Sequence, residues 1–311
     1  MPYIFPRIFS NSFNIISDNL KGASWIAMSC LYASIMVTMI KTIGDDVSAT
    51  VIVAGRCFFG LILLSPMLLP MLLKKGLAGL ASTQLTLHLV RGGFVAVGIN
   101  LGFYSLTILP ITTVTVLFFT VPLFVTLLAR PVLGEPVGWR RMSATLVGFL
   151  GAIVVINPTT DVFDMRLLVP VVSSAFFSVS LVLHKQLSKS DPPWVLMFYM
   201  FSCTLVLTAP FSVAHWQPLE LGNFGLIVLI AIFATLRTYA DIKAYSIGDV
   251  SFVAPFQYLR ILFVSILAYI LFSEVLAFYE WVGVMIIMSS TLYIAHREYR
   301  LNRHRVQHDR L

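Results

Sequence analysis

At 311 residues, with 58% hydrophobic and 11% charged side chains and a mean hydropathy of +0.90, the chain has more apolar surface than a water-soluble domain can bury. Soluble domains carry about 25% charged residues, so a soluble enzyme or binding module is excluded and an all-α integral membrane protein is expected. The net charge of +7 does not point to nucleic acid, because Arg297, Arg300, Arg303, Arg305 and Arg310 crowd into a tail behind the last apolar run, where a cytoplasmic anchor belongs.

Residues 1–21 mix aromatics with Ser, Asn and Pro and lack the short apolar core of a cleaved signal; they read as a mobile or interfacial cytoplasmic segment. A spanning helix needs about 20 mostly apolar residues. Ten runs qualify: 22–41, 51–73, 85–108, 112–130, 140–157, 167–187, 194–214, 224–246, 251–272 and 278–296. Leu109-Pro110, Asn157-Pro158, Asp191-Pro192-Pro193 and Gly248 mark boundaries between them. The third and fourth runs, and the eighth and ninth, are joined so briefly that each pair must be antiparallel. Cys30, Cys57 and Cys203 lie inside apolar runs as small hydrophobes, and the six histidines make no zinc-binding spacing with them.

Basic residues near run ends fix the expected orientation. Arg7, Lys21, Lys74, Lys75, Arg91, Arg130, Arg140, Arg141, Lys185, Lys189 and the five tail arginines fall on one side, against Lys41 and Arg166 on the other. Both termini are therefore expected in the cytoplasm of a multi-pass inner (plasma) membrane protein.

One stretch is written twice. Leu106–Glu135 and Tyr245–Glu274 each read as a short polar turn, an apolar helix interrupted by proline, and a small residue before glutamate, at an offset of 139 residues. The same offset sets Ala144 on Gly283 and Gly151 on Ser290. The chain thus divides into an N-terminal segment 1–21, two five-helix repeats at 22–157 and 167–296, and a basic tail 297–311. Five is odd, so the halves are expected in opposite orientations, with a binding site near the midplane between them. Gly98 and Gly102 in the third run, and Gly148 and Gly151 in the fifth, offer faces thin enough for close helix contact.

Few charges fall within the runs: Arg56, Arg237, Asp241, Lys243 and Arg260. A lipid-facing Arg or Asp at a helix centre costs roughly 2.5–3.5 kcal/mol, so each is a candidate site residue. Arg56 and Lys243 lie near run ends, where snorkelling would serve them. Arg237 and Arg260 are placed near the middle of their runs. Arg237 and Asp241 are four apart and can pair on one helix face, either as a structural tie or as part of a site. Arg260 has no acid in its own run and is assigned to the cavity, with Gln257 and Tyr258 within a turn of it. Pro255 and Pro122 lack an N–H and break their helices, a break tolerated where backbone lines a cavity. Asn100 and Tyr104 give the first half a polar stripe; packing with hydroxyls bonded to backbone is the competing account of Tyr104 and Tyr258. Asp241 is the only acid well inside a run, so exchange or facilitated transport is expected over proton-driven pumping.

These features resemble the EamA-type drug/metabolite transporters: ten helices, two inverted fives, and a glutamate after helices four and nine. Lys41 and Lys185, ending the first helix of each half, and Arg56 match residues usual in that family. His88–Phe94 (HLVRGGF), Leu106–Val116 (LTILPITTVTV) and APFQYL followed by ILAYILFSE in the ninth run are similar to S-adenosylmethionine uptake carriers of obligate intracellular bacteria. Arg260 departs from the acidic residue such carriers are expected to hold there, which argues against a cationic sulfonium at that point. The resemblance implies a secondary transporter of a small metabolite, whether S-adenosylmethionine, an amino acid or a related zwitterion, working by alternating access. It implies the bilayer as partner, no nucleic acid, and a monomer or homodimer. No cofactor is expected: there is no P-loop and no clustered catalytic set. A membrane-embedded lipid-modifying enzyme would need such a set, and a non-transporting scaffold would not need charges at mid-depth.

Overall fold

The computed structural model describes residues 5–44, 46–133, 139–156, 164–188, 190–247 and 254–308. The described residues are helical throughout, joined by turns. The helices are α1 (Phe5–Ile43), α2 (Ala49–Lys75), α3 (Leu85–Ile108), α4 (Ile111–Phe118), α5 (Val121–Leu133), α6 (Trp139–Ile156), α7 (Leu168–Leu187), α8 (Pro193–Ala214), α9 (Leu221–Ile247), α10 (Leu259–Phe272) and α11 (Phe278–His308). Seven segments among them are long and apolar enough to cross a bilayer: Leu20–Ile43, Ala49–Lys74, Leu85–Ile108, Ile111–Leu128, Met165–His184, Pro193–Ala214 and Leu221–Ala244. Met142–Ile156, Phe256–Phe272 and Phe278–Ser290 are shorter apolar helices. Nine of the ten predicted runs are helical over their described residues, and the fourth is helical on either side of Phe119–Thr120.

Three departures from the sequence reading have local causes. α1 begins at Phe5, because no glycine or proline interrupts residues 7–21 to stop the helix. The fourth run is two helices, α4 and α5, split at Phe119–Thr120. Pro122 has no N–H for the Phe118 carbonyl, and the chain tightens there through Phe119 N to Val116 O and Thr120 N to Leu117 O, 3.0 and 3.1 Å. The ninth run opens as a 3₁₀ turn, Ala254–Tyr258, around Pro255. Arg260 therefore stands in the first turn of α10 rather than at mid-helix.

The principal packed pairs are α1 with α9, α3 with α7, α6 with α11, α2 with α8 and α9, α3 with α8, α5 with α7, and α1 and α4 with α10. Small residues set these approaches. Ser173 Oγ donates to Gly98 O at 2.6 Å, and a Cβ on Gly102 would meet the Phe118 ring at 2.9 Å. At the α6–α11 crossing the residues paired by the 139-residue offset meet crosswise. Ser290 donates to the Ala144 carbonyl, and a Cβ on Gly283 would fall 2.7 Å from Gly151 O and 2.3 Å from Val155 Cγ2. Gly283→Val should therefore cost about 1–3 kcal/mol, the usual range for overpacking, read as a lowered thermal midpoint in detergent. Gly93→Ala is the control, since nothing lies within 4 Å of its added Cβ; equal midpoints for the two variants would refute the close contact.

The two ends of the bundle are tied differently. At the α3–α4 end, Glu274 Oε2 accepts from Ile111 N at 2.9 Å, capping α4 from across the bundle. Lys41 Nζ donates to Leu109 O at 2.9 Å, and Thr113 donates to the buried Glu280. Glu135, the sequence partner of Glu274, lies outside the described residues, as do the side chains of Lys185 and the tail arginines. At the opposite end, His88 Nε2 lies 2.9 Å from Asp191 Oδ2, which also accepts from Ser82 Oγ at 2.7 Å. His88 is 1% exposed and stacks on Tyr199 at 4.4 Å. This pair ties the start of α3 to the α7–α8 turn.

Candidate functional site

The site forms where α1 and α9 come close. Ser29, Cys30 and Ala33 on α1, and Ala234, Ala240 and Ala244 on α9, are all buried, and their short side chains let the helices approach. That closeness brings Ser29 Oγ to Asp241 Oδ1 at 2.6 Å, where it donates. Arg237 Nε lies 3.8 Å from Asp241 Oδ2, a looser contact than the four-residue spacing promises. Both side chains remain about a quarter exposed, 29% and 26%. Lys243 sits 5.7 Å from the centre of the Tyr239 ring, one turn along the same helix.

α10 supplies Arg260. The 3₁₀ turn before it frees carbonyls that a regular helix would use, and the Cys30 thiol answers one of them, donating to Gln257 O at 3.5 Å. Arg260 is partly exposed as a residue, yet its Nε is closed off from solvent and has no hydrogen-bond partner. Among the described residues no carboxylate lies within 4.0 Å of it, Asp241 included. The guanidinium feels the charges of both Arg237 and Asp241 across that gap.

Arg56, which the sequence left open between snorkelling and a functional role, is enclosed by the bundle. It is 7% exposed instead of snorkelling, because its stretch of α2 is enclosed: Ile52, Val53 and Cys57 beside it are at most 1% exposed. Its Nε has no hydrogen-bond partner, and its guanidinium carbon lies 5.6 Å from the centre of the Phe103 ring. Its charge acts on Arg237, as that of Arg260 does. Among the described residues only Arg237 has a carboxylate within 4.0 Å, leaving Arg56 and Arg260 without one.

The other predicted residues are distributed otherwise. Tyr258 is 8% exposed with its ring 5.0 Å from that of Phe119, and the Gln257 side chain is exposed. Asn100 Nδ2 donates to Thr208 Oγ1 and to Ala96 O, both at 2.8 Å, turning it toward α8. Tyr104 is 48% exposed. The structure therefore brings together Arg237, Asp241 and Arg260, adds Ser29, Cys30 and Arg56, and leaves Asn100 and Tyr104 out of the charged group. An open cavity of about 340 Å³ lies at the α3–α4 end, between the α1–α2 turn and the α8–α9 loop, lined by Asp46, Val47, Ser48, Val51, His215 and Trp216.

Comparison with known proteins agrees with this architecture. The EamA-like transporter family matches twice, over residues 20–157 and 165–295. The chain is 29% identical over 279 residues to the S-adenosylmethionine uptake transporter of Rickettsia prowazekii (strain Madrid E), covering 90% of this chain and 94% of that one. It is 30% identical over 240 residues to the riboflavin transporter of Brucella anthropi, covering 74% and 83%. A crystal structure with 16% identity superposes with a TM-score of 0.59 over 90% of this chain and 97% of that one, a likeness of fold alone.

Proposed function

We propose that this chain, which belongs to the EamA-like transporter family, is a secondary carrier for a small carboxylate-bearing metabolite. As a member of that family it is a multi-pass membrane transporter of small metabolites and not an enzyme. The proposed substrate is S-adenosylmethionine, an amino acid or a related zwitterion, moved across the inner membrane by alternating access, with both termini cytoplasmic.

The observation that carries the substrate reading is Arg260, whose Nε is closed off and unbonded with no carboxylate within 4.0 Å among the described residues. A closed-off N–H without a partner costs about 1–3 kcal/mol, and a substrate carboxylate supplies what the fold withholds. Asp241, held by Ser29, would face the substrate's cationic group. Of the two compounds for which the relatives above are named, a carboxylate favours S-adenosylmethionine over riboflavin, which has none.

Two features support two inverted halves of five runs, 22–157 and 167–296. Counting α4 and α5 as one run, exchanging first-half runs for second-half ones turns α1–α9 packing into α7–α3, α2–α9 into α8–α3, and α5–α7 into α10–α1. The α2–α8, α4–α10 and α6–α11 pairs exchange with themselves. The contacts Ala144–Ser290 and Gly151–Gly283 interchange in the same way. Such a pattern belongs to halves related by a two-fold axis, with the site between them.

Uptake of labelled S-adenosylmethionine, methionine and riboflavin into proteoliposomes tests the reading. Saturable uptake of a carboxylated compound, competed by other carboxylates, is expected. Saturable riboflavin uptake that no carboxylate competes for would overturn it.

A further inference from the structure

α2 and α8 pack as an antiparallel pair, and the two junctions at their ends differ. At one, the end of α2 meets the start of α8, where Trp194 Nε1 donates to Met71 Sδ at 3.0 Å. At the other, the start of α2 and the end of α8 border the cavity of about 340 Å³, with Val51 and Ala214 both in its lining. The first junction is tied by hydrogen bonds between the α7–α8 region and the chain around the α2–α3 connection. Asp191 in the α7–α8 turn accepts from Ser82 Oγ at 2.7 Å and pairs with His88 Nε2 at 2.9 Å. Gln84 Nε2 donates to Ser190 Oγ at 3.2 Å, and the Tyr199 hydroxyl to Leu80 O at 3.0 Å.

The second junction holds the same kinds of side chain without joining them. Asp46 stands in the α1–α2 turn, and His215 and Gln217 in the α8–α9 connection; all three are exposed and line the cavity. Among the described residues no hydrogen bond or ion pair links that turn to that connection. The His215 ring is fixed instead to its own helix, Nδ1 donating to Phe211 O at 2.9 Å. Exchanging the halves turns the α7–α8 turn into the α1–α2 turn, and the α2–α3 connection into the α8–α9 connection. An aspartate on the turn, opposite a histidine and a glutamine from around the connection, therefore occurs at both junctions. The match is by connection and not residue by residue.

We propose that the cavity is the open form of a second latch: when the His88–Asp191 junction parts, the cavity shuts and Asp46 docks on His215 and Gln217. This rests on the reading of inverted halves in a carrier given above. Halves that rock about a shared site close one end as they open the other, so the two latches hold in alternation. The structure described is the form shut at the His88–Asp191 end and open at the cavity. Each latch gives its carboxylate protein donors when shut and water when open, so neither form strands a charge. Loosening one latch moves the population toward the form that the other holds.

The test puts Ser48→Cys and Trp216→Cys on the two walls of the cavity, in the full chain in proteoliposomes, leaving Asp46 and His215 in place. A short, membrane-permeant and reducible thiol cross-linker reads their approach, with the chain lacking both substitutions as the blank for Cys30, Cys57 and Cys203. Adding Asp191→Asn should raise the cross-linked fraction about threefold or more. Adding Asp46→Ala to that protein should return the fraction to its starting value. Gly283→Val, which disturbs the separate α6–α11 crossing, should leave it unchanged. A fraction that Asp191→Asn does not raise overturns the latch. An equal rise with Gly283→Val also overturns it, because the fold would then be loosened at large. A rise that survives Asp46→Ala removes Asp46 from the closing contact and the proposal with it. Uptake of labelled S-adenosylmethionine by the same vesicles should stop on cross-linking and return on reduction; uptake that continues at full cross-linking overturns the alternation. A wild-type chain without uptake of labelled S-adenosylmethionine or methionine counts against the carrier reading, while the cross-linked fractions still judge the latch.

Discussion

Arg260→Ala should abolish substrate binding and still yield a folded, inserted protein. The side chain gives up no hydrogen bond or ion pair among the described residues when it is removed. Its deletion also relieves the cost of an enclosed charge beside Arg237. Stability should therefore hold or rise. Binding is another matter, since hydrogen bonds to charged groups contribute about 1.5–3 kcal/mol, and loss of a two-pronged contact weakens binding on the order of 100-fold. Lysine should rescue in part, keeping the charge while losing the planar fork that grips a carboxylate. Thermal midpoint and equilibrium binding, measured on one detergent-purified sample, separate the two effects. Normal affinity in a stable Arg260→Ala protein refutes the cavity role; lowered expression with normal affinity in what survives makes the residue structural.

The second large effect is expected at the far end of the bundle. Asp191→Ala should remove about 1–3 kcal/mol of stability, the cost of leaving a buried polar group without its partner, because His88 is 1% exposed. The change strands His88, whose other ring nitrogen already lacks a partner, and leaves Ser82 without its acceptor. Burial pushes the Asp191 carboxyl up, but the hydrogen bonds from His88 and Ser82 outweigh it and hold the group below its ordinary value. A carboxyl lowered on folding stabilises above its unfolded pKa, about 3.9, and that contribution fades as pH falls through the lower folded value. Wild type and Asp191→Asn should thus differ clearly in midpoint at pH 7 and converge below about pH 4. A gap that stays constant across that range would assign the effect to shape and not to charge.

How far this was readable in advance depends on the range of the interaction. Helix positions, the proline breaks at Pro122 and Pro255, and the small-residue pairs Ala144/Gly283 and Gly151/Ser290 follow from neighbours in sequence, and all find a structural counterpart. So does the Arg237–Asp241 spacing. What the sequence hid is contact between distant runs: Ser29 with Asp241 is 212 residues apart, and His88 with Asp191 is 103. A membrane helix is apolar toward lipid and toward its neighbours alike, so periodicity does not say which face turns inward. Distance from the run end therefore leaves Arg56 open between a snorkelling and a functional side chain, and only the fold shows that stretch of α2 enclosed. Arg260 stands earlier in its regular helix than the run implies, because Pro255 delays the start of α10 to Leu259.

The Glu274 cap on α4 makes this end of the protein a proton ledger. Burial pushes the Glu274 carboxyl above its ordinary value, against the opposing pull of the Ile111 N–H and Lys41. Docked against α4 it holds a proton more tightly than it would once released into water. Between the ordinary and the raised value, a movement that undocked Glu274 would shed part of a proton, and redocking would take it back. Acid on that face is therefore a brake: as pH falls through the window the docked form gains, and above it the grip is at its weakest. The rate at which substrate leaves by that face should drop on acidification in wild type and lose that dependence in Glu274→Gln, an outcome stopped-flow release at stepped pH would register directly.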